Sequence, residues 1–284
     1  MRSKTTDADL LQPYPAVSRN QEMPDGRSKA FKPNVLQRIN TKMANILSYA
    51  TQIGRKFSSF PPNETEKEIN QLLKCDLRNH NYMISQNKLI QSFKLHERLS
   101  LITALYPEPL ESFIDIGCYR GFFALDAANR PGCNVSVGID VYEPFVNTSN
   151  TVKGYLGLSN SSFYMASLDM VSSNPEAYGG PFQTVQLINV YHYLFWGSSL
   201  CSDAYLNHHE ILRRLSRICT DRLIFSARLE VDRLPGNLKE KAKASGKIAH
   251  YNTDYFLKVA REFFEVHRAG FLGRYPLFIM EKKN

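Results

Sequence analysis

Apolar residues fall into two rhythms along the chain. From about residue 110 onward, short unbroken apolar runs bounded by glycine, proline or polar clusters alternate with longer stretches of helical period. The runs near 112–117, 135–141, 161–166, 184–190, 221–227, 264–270 and 275–281 predict strands, and helices fit near 120–130, 144–157, 203–218 and 252–262. Asn252-Thr253-Asp254 suits the start of the last helix, since Asn accepts a bond from a free helix N–H and Asp complements the dipole. Strands alternating with helices predict an α/β domain over 107–284, with a mostly parallel sheet covered by helices.

Upstream the rhythm is different. Residues 1–33 hold four prolines and no periodicity, which predicts a disordered tail. Over 34–57, Val35, Leu36, Ile39, Met43, Ile46, Leu47, Ala50 and Ile53 share one helical face. Such a helix either packs on the main domain or meets a membrane surface or partner. Ser58-Ser59-Phe60-Pro61-Pro62 breaks the pattern, and Glu64 to Lys74 fits another short helix. A longer helix is expected from about Met83 to Leu105, on Ile84, Leu89, Ile90, Phe93, Leu99, Ile102 and Leu105, ended by Pro107-Glu108-Pro109. Residues 34–106 therefore read as a helical N-terminal extension.

The chemistry concentrates at Phe113-Ile-Asp-Ile-Gly-Cys-Tyr-Arg-Gly-Phe-Phe123 and Val137-Gly-Ile-Asp-Val141. The first is a strand ending at Asp115, a turn holding Gly117 and Gly121, and a helix start. The second is a strand ending at Asp140. Glycines let backbone approach a ligand closely, and an acidic side chain at the next strand end suits ribose hydroxyls. The dinucleotide pattern G-x-G-x-x-G lacks its third glycine here, and Asp115 would repel a pyrophosphate. A carboxylate at that turn instead attracts the ammonium of S-adenosylmethionine.

Asp115-Ile-Gly117-Cys-Tyr-Arg-Gly121 resembles the first motif, D-x-G-x-x-x-G, of the class I S-adenosylmethionine-dependent methyltransferases. The resemblance covers roughly 85–284. It implies a Rossmann-like seven-stranded mostly parallel sheet whose antiparallel last strand slots between the fifth and sixth; Phe263–Gly270 and Tyr275–Glu281 look like the closing hairpin. It also implies S-adenosyl-L-methionine as cofactor, with Asp115 near the methionine ammonium, Gly117, Tyr119 and Gly121 in the turn around it, and Asp140 on the ribose. Ser167, with Asp169 as competitor, matches the position that touches the adenine amino group. Asn189 ends the fourth strand, before Tyr191-His-Tyr-Leu-Phe-Trp196. That segment lacks the N-P-P-Y of amino-directed nucleic-acid enzymes, and Asn189 stands where ribose 2′-O-methyltransferases carry an Asp. It resembles the V-x-H-H/Y-L loop of small-molecule and some tRNA-modifying members. His192 is the candidate catalytic base, because imidazole titrates near neutrality; the alternative is that it orders the loop.

Composition narrows the partners. The chain has 284 residues, 43% of them hydrophobic, and no apolar run long enough to span a membrane. Met1 to Leu11 shows no signal-peptide core, and the five cysteines (Cys75, Cys118, Cys133, Cys201, Cys219) form no C-x-x-C pair. A cytoplasmic, reducing setting and no metal site are expected. The net charge of +8 is uneven, with 16 Lys/Arg against 10 Asp/Glu in 1–110 and 19 against 17 in 111–284. The basic N-terminal part either steers an anionic partner such as RNA or is simply solvated. A methyltransferase acting on O or N of a small metabolite or glycan leads. The alternatives are an RNA-modifying (tRNA or rRNA) enzyme gripping through residues 1–80, and a non-catalytic cofactor-binding member.

Overall fold

A computed structural model describes residues 62–73, 81–201 and 203–283. The tail predicted over 1–33 and the amphipathic helix predicted over 34–57 lie outside them. The order of elements is α1 (Glu64–Leu73), β1 (Tyr82–Ser85), β2 (Lys88–Gln91), α2 (Phe93–Thr103), β3 (Ser112–Ile116), α3 (Phe122–Ala128), β4 (Val135–Asp140), α4 (Glu143–Leu156), β5 (Ser161–Met165) and α5 (Leu168–Ser173). There follow β6 (Phe182–Ile188), α6 (Tyr191–Trp196), α7 (His208–Ile218), β7 (Cys219–Ser226), α8 (Gly236–Ala244), α9 (Thr253–Phe263), β8 (Phe264–Leu272) and β9 (Tyr275–Lys282).

Seven strands form one sheet in the order β5-β4-β3-β6-β7-β9-β8. β3 to β7 run parallel, and β9 pairs antiparallel with both β7 and β8. The strand order reverses beside β3, where chain leaves first toward β4 and later toward β6; ligands of open α/β sheets bind at such a switch point, past the C-terminal strand ends. The predicted sheet, with its last strand between the two before it, is what the structure shows. The strands are legible because a sheet covered on both faces buries successive residues: Phe113 and Ile114 on β3 and Val185, Gln186 and Leu187 on β6 are all fully buried.

The helix predicted over 83–105 is corrected. Residues 82–91 form an antiparallel hairpin, with Tyr82 opposite Gln91 and Ser85 opposite Lys88. Gln86 and Asn87 turn it at φ +52° and +54°, the left-handed pair that a two-residue hairpin loop requires. Helix α2 starts only after Ser92, whose Oγ accepts from the Leu95 N–H at 3.2 Å. Apolar spacing across 84–90 matched a helical period by coincidence. The N-terminal extension is thus not all helical among the described residues. The helix predicted from 203 begins instead at His208, because Asn207 Oδ1 accepts from the His209 and Glu210 N–H groups at 2.9 and 3.4 Å.

α1 and the hairpin are tied to the sheet domain by one buried acid. Asn63 and Glu66 cap α1 reciprocally, the Asn63 N–H donating to Glu66 and the Glu66 N–H to Asn63 Oδ1. The other Glu66 oxygen accepts from the Asn87 N–H at 3.2 Å and the Tyr155 hydroxyl at 3.0 Å. The hairpin is also anchored at the glycine turn, where Tyr82 Oη donates to the Arg120 carbonyl at 2.5 Å.

Candidate functional site

The chain leaves β3 at Asp115-Ile116 and turns back sharply. Gly117, Tyr119 and Gly121 have φ of +70°, +54° and +74°, three left-handed residues within five. The Gly117 and Cys118 N–H groups both donate to the Ile139 carbonyl, at 2.8 and 2.9 Å, so the turn is pinned to the next strand. A Cβ on Gly117 would lie 2.4 Å from Val190 Cγ2, and one on Gly121 2.6 Å from the Phe163 ring. The glycines were expected to let backbone near a ligand; here the space of the missing side chains is filled by Val190 and Phe163. Tyr119 carries a side chain at left-handed φ, a strain that accumulates at binding sites.

Asp140 explains how that strain is held. Its Oδ2 accepts from the Tyr119 N–H at 2.9 Å and its Oδ1 from the Tyr142 N–H at 3.0 Å. Burial raises its pKa, against the lowering effect of those backbone bonds. Each oxygen keeps a further lone pair for a ligand hydroxyl. The Tyr119 ring packs edge-on against Phe145 at a centroid distance of 4.2 Å, with the Arg120 guanidinium 4.4 Å above it.

Asp115 is 4% exposed. Its Oδ1 accepts from Gln186 Nε2 at 3.1 Å, and Tyr106 Oη donates to Gln186 Oε1 at 3.1 Å, a relay buried throughout. Burial is the main cause that lifts the Asp115 pKa from 3.8 to about 7; the Asp140 charge adds to it, while the Gln186 bond and Arg98 oppose it. An acid in that state accepts a cation readily, because pairing would relieve the buried charge. Gln186 and Tyr106 were not legible as site residues in the sequence, since a Gln inside an apolar strand and a Tyr before a proline carry no motif.

The remaining candidates separate. Ser167 caps α5, its Oγ accepting from the Met170 N–H at 3.3 Å. Its competitor Asp169 is exposed and bonded to Arg214 Nε at 2.7 Å. At the same strand end, Met165 pairs with Asp140 across β4 and β5 and is 58% exposed, with Val141 also exposed. They form an apolar lip beside Asp140. Asn189 takes φ +60°, which Asn tolerates, and its N–H donates to the Ser226 carbonyl at 2.7 Å. His192 lies on α6, a helix the sequence reading passed over as loop, and is 1% exposed. Burial, with a lesser push from Arg228, drops its pKa to about 3, so it is neutral across the physiological range. Its neighbour Tyr191 packs the other way, its hydroxyl donating to His208 Nδ1 while His208 Nε2 donates to the His250 carbonyl at 2.8 Å.

Asp115, Gly117, Tyr119, Gly121, Asp140, Asn189 and His192 thus gather along the C-terminal edge around the switch point, with Ser167 at its β5 end. One further cluster lies elsewhere: the ligand atoms of Glu265, His267 and Glu281 fall within 4.8 Å of one another on the β8–β9 hairpin. Glu281 pairs with Arg222, in the first half of β7, which puts the trio toward the opposite edge of the sheet. No metal site was expected from the sequence, and Glu281 joins Glu265 and His267 only through the pairing of β8 with β9.

No family model matches the chain, and no curated protein matches it. Solved structures share its architecture. One structure of the bifunctional kinase-methyltransferase WbdD has 17% sequence identity and a TM-score of 0.50 over 80% of this chain and 45% of that one. A higher-resolution WbdD structure gives 16% and 0.51 over 80% and 46%. The N-methyltransferase NodS from Bradyrhizobium japonicum, in complex with S-adenosyl-L-homocysteine, has 14% identity and a TM-score of 0.47 over 78% of this chain and 100% of that one. The chain spans less than half the length of the WbdD chains. The chain shares a Rossmann-like α/β fold with these WbdD structures. Among the described residues no helix is long and apolar enough to cross a membrane.

Proposed function

We propose that the chain is an S-adenosylmethionine-dependent methyltransferase acting on an oxygen or nitrogen of a small-molecule or glycan acceptor. The observation that carries this reading is the pair Asp115 and Asp140, at the ends of adjacent parallel strands, joined through the Gly117–Gly121 turn by the Tyr119 N–H bond to Asp140. A buried carboxylate with a raised pKa suits the methionine ammonium, and a second carboxylate with free lone pairs suits the ribose diol. The Met165 and Val141 lip offers apolar surface for the adenine, whose amino group the resemblance gives to Ser167. Ser167 Oγ is engaged as a helix cap, which leaves it a weaker candidate for that contact.

The sulfonium is an activated donor, so the protein has mainly to align acceptor, methyl and sulfur and to exclude water. In this reading the acceptor sits at Asn189 and His192, beyond the end of β6. His192 is neutral and able to accept a proton, but its low basicity makes hydrogen bonding to the acceptor its main contribution. The RNA reading rests on residues 1–80, most of which lie outside the described residues.

Thermal-shift titration tests the cofactor. S-adenosylmethionine and its demethylated product are expected to stabilise the chain by about 2.7 kcal/mol at a hundredfold excess over Kd, and NAD by nothing. Stabilisation by NAD alone would overturn the reading. Labelled methyl transfer into metabolite, glycan and RNA pools then identifies the acceptor class.

Asp140→Ala tests the ribose contact. Losing hydrogen bonds to a charged acceptor costs about 1.5–3 kcal/mol, so the Kd for S-adenosyl-L-homocysteine should rise roughly 10- to 100-fold by calorimetry. An unchanged Kd removes Asp140 from the site.

A further inference from the structure

We propose that the ends of β6 and β7 form an oxyanion site, in which the Arg228 guanidinium, assisted by Ser226 and His192, holds a carboxylate or phosphoryl group of the methyl acceptor. The inference rests on the methyltransferase reading and names the class of acceptor that reading leaves open.

Four polar atoms at this edge are buried without a hydrogen-bond partner: Asn189 Oδ1, His192 Nδ1, Ser226 Oγ and Arg228 Nε. Strand pairing brings them together. Ile188, the last residue of β6, is in register with Ser226, the last of β7, and the Asn189 N–H donates to the Ser226 carbonyl. Arg228 follows two residues later, and its charge is close enough to His192 to push that ring further from protonation. Buried polar atoms are nearly always satisfied, and each one left bare costs about 1–3 kcal/mol. Four together at the edge where the sheet binds ligands mark groups that a ligand completes.

The charge balance names the ligand. Arg228 forms no ion pair among the described residues; its guanidinium carbon lies 5.5 Å from the Tyr275 ring. The nearest acid in sequence, Glu230, is committed elsewhere, its Oε1 accepting from the Thr253 N–H at 3.1 Å and the Thr253 hydroxyl at 2.6 Å. A guanidinium with a buried, bare Nε–H is costly unless an anion meets it. Its planar fork matches the two oxygens of a carboxylate or phosphate. Ser226 Oγ supplies a hydroxyl donor, and neutral His192 donates here in the tautomer that carries its proton on Nδ1. Asn189 Oδ1 can only accept, and it suits the O–H or N–H that becomes methylated. A single small acid bearing a hydroxyl or amine satisfies the whole set.

The test uses the full chain, saturated with S-adenosyl-L-homocysteine, with sodium methyl phosphate and sodium acetate as probes and chloride holding ionic strength constant. One or both probes should raise the melting temperature of the native chain beyond the chloride control, and the stronger arm tells phosphate from carboxylate. Arg228→Gln should weaken the responding probe at least tenfold while the homocysteine-nucleoside Kd stays within twofold. Arg228→Lys, which keeps a charge but not the fork, should weaken it at least threefold, and it decides the question should the glutamine chain not fold. Equal probe responses in native and variant chains, or none in the native chain, overturn the proposal. Absence of nucleoside binding would overturn the methyltransferase reading instead, and the probe response is then read without it.

Discussion

Asp115→Asn is expected to make the protein more stable at pH 8 and a much poorer cofactor binder. Its carboxyl, nearly out of contact with water, has a pKa raised from 3.8 to about 7. Between those values the folded state holds a proton that the unfolded chain has released. Stability therefore falls as pH rises from about 4 to about 7, and is flat above. The full shift of about three units corresponds to about 4 kcal/mol, an upper limit on what removing the charge returns at pH 8. Asparagine keeps an oxygen for Gln186 Nε2 and removes the ionisation, so the variant should melt several degrees higher at pH 8 and lose its lead toward pH 4. Cofactor affinity moves the other way. A neutral amide forfeits the pairing with the ammonium, and the Kd should rise roughly 10- to 100-fold. In the native chain the same linkage weakens the cofactor as pH drops below about 7, because the ammonium then competes with a proton. Calorimetric Kd values from pH 5.5 to 8.5 and melting curves of both chains check this. A variant less stable than the native chain at pH 8, or a pH-independent native Kd, would show that Asp115 is not a strained acid waiting for a cation.

Gly117→Ala is expected to cost the most stability of any single methyl group in the site. The left-handed φ of +70° penalises a side chain by about 1–2 kcal/mol. The new Cβ would also meet Val190 Cγ2 at 2.4 Å and Cγ1 at 2.9 Å, and overpacking of that kind costs about 1–3 kcal/mol. Together these predict a loss of about 2–5 kcal/mol in urea unfolding. The two causes are separable. Val190→Ala removes the clash and leaves the backbone strain, so the double variant should lose less than the sum of the single losses by about 0.5–3 kcal/mol. Strict additivity would place the whole effect in the backbone. Val190 begins the segment that presents His192, so a displaced Val190 also disturbs the acceptor side. The Gly117–Val190 contact thus couples the turn after β3 to the segment after β6.

The sequence made the sheet readable because its central strands are covered on both faces, leaving short apolar runs such as Phe113-Ile114 and Leu187-Ile188 bounded by turn residues. The Asp115 turn was readable because two of its three left-handed residues are the glycines Gly117 and Gly121. The hairpin at 82–91 was not. Its signal is a Gln86-Asn87 turn, chemically weaker than Asn-Gly, set among apolar residues whose spacing also fits a helix. Side-chain partners were harder still. Gln186 reaches Asp115 from 71 residues along the chain and brings Tyr106 into the relay, and the Arg228 charge is felt by His192 because β6 and β7 lie side by side. His192 showed its type and position in the sequence but not its burial, and burial is what takes its pKa away from neutrality.

The placement of β9 between β7 and β8 sets an order on assembly. β8 is made first yet has no neighbour until β9 arrives, since β9 supplies its pairing from Phe264–Lys282 to Leu272–Tyr275. Until then the flank of β7 stays open along Arg222 to Ser226, including the fully buried Leu223, Ile224 and Phe225. An unfinished or truncated chain would therefore present a long apolar border to its neighbours in the cell, the kind of edge that recruits a second copy or a chaperone.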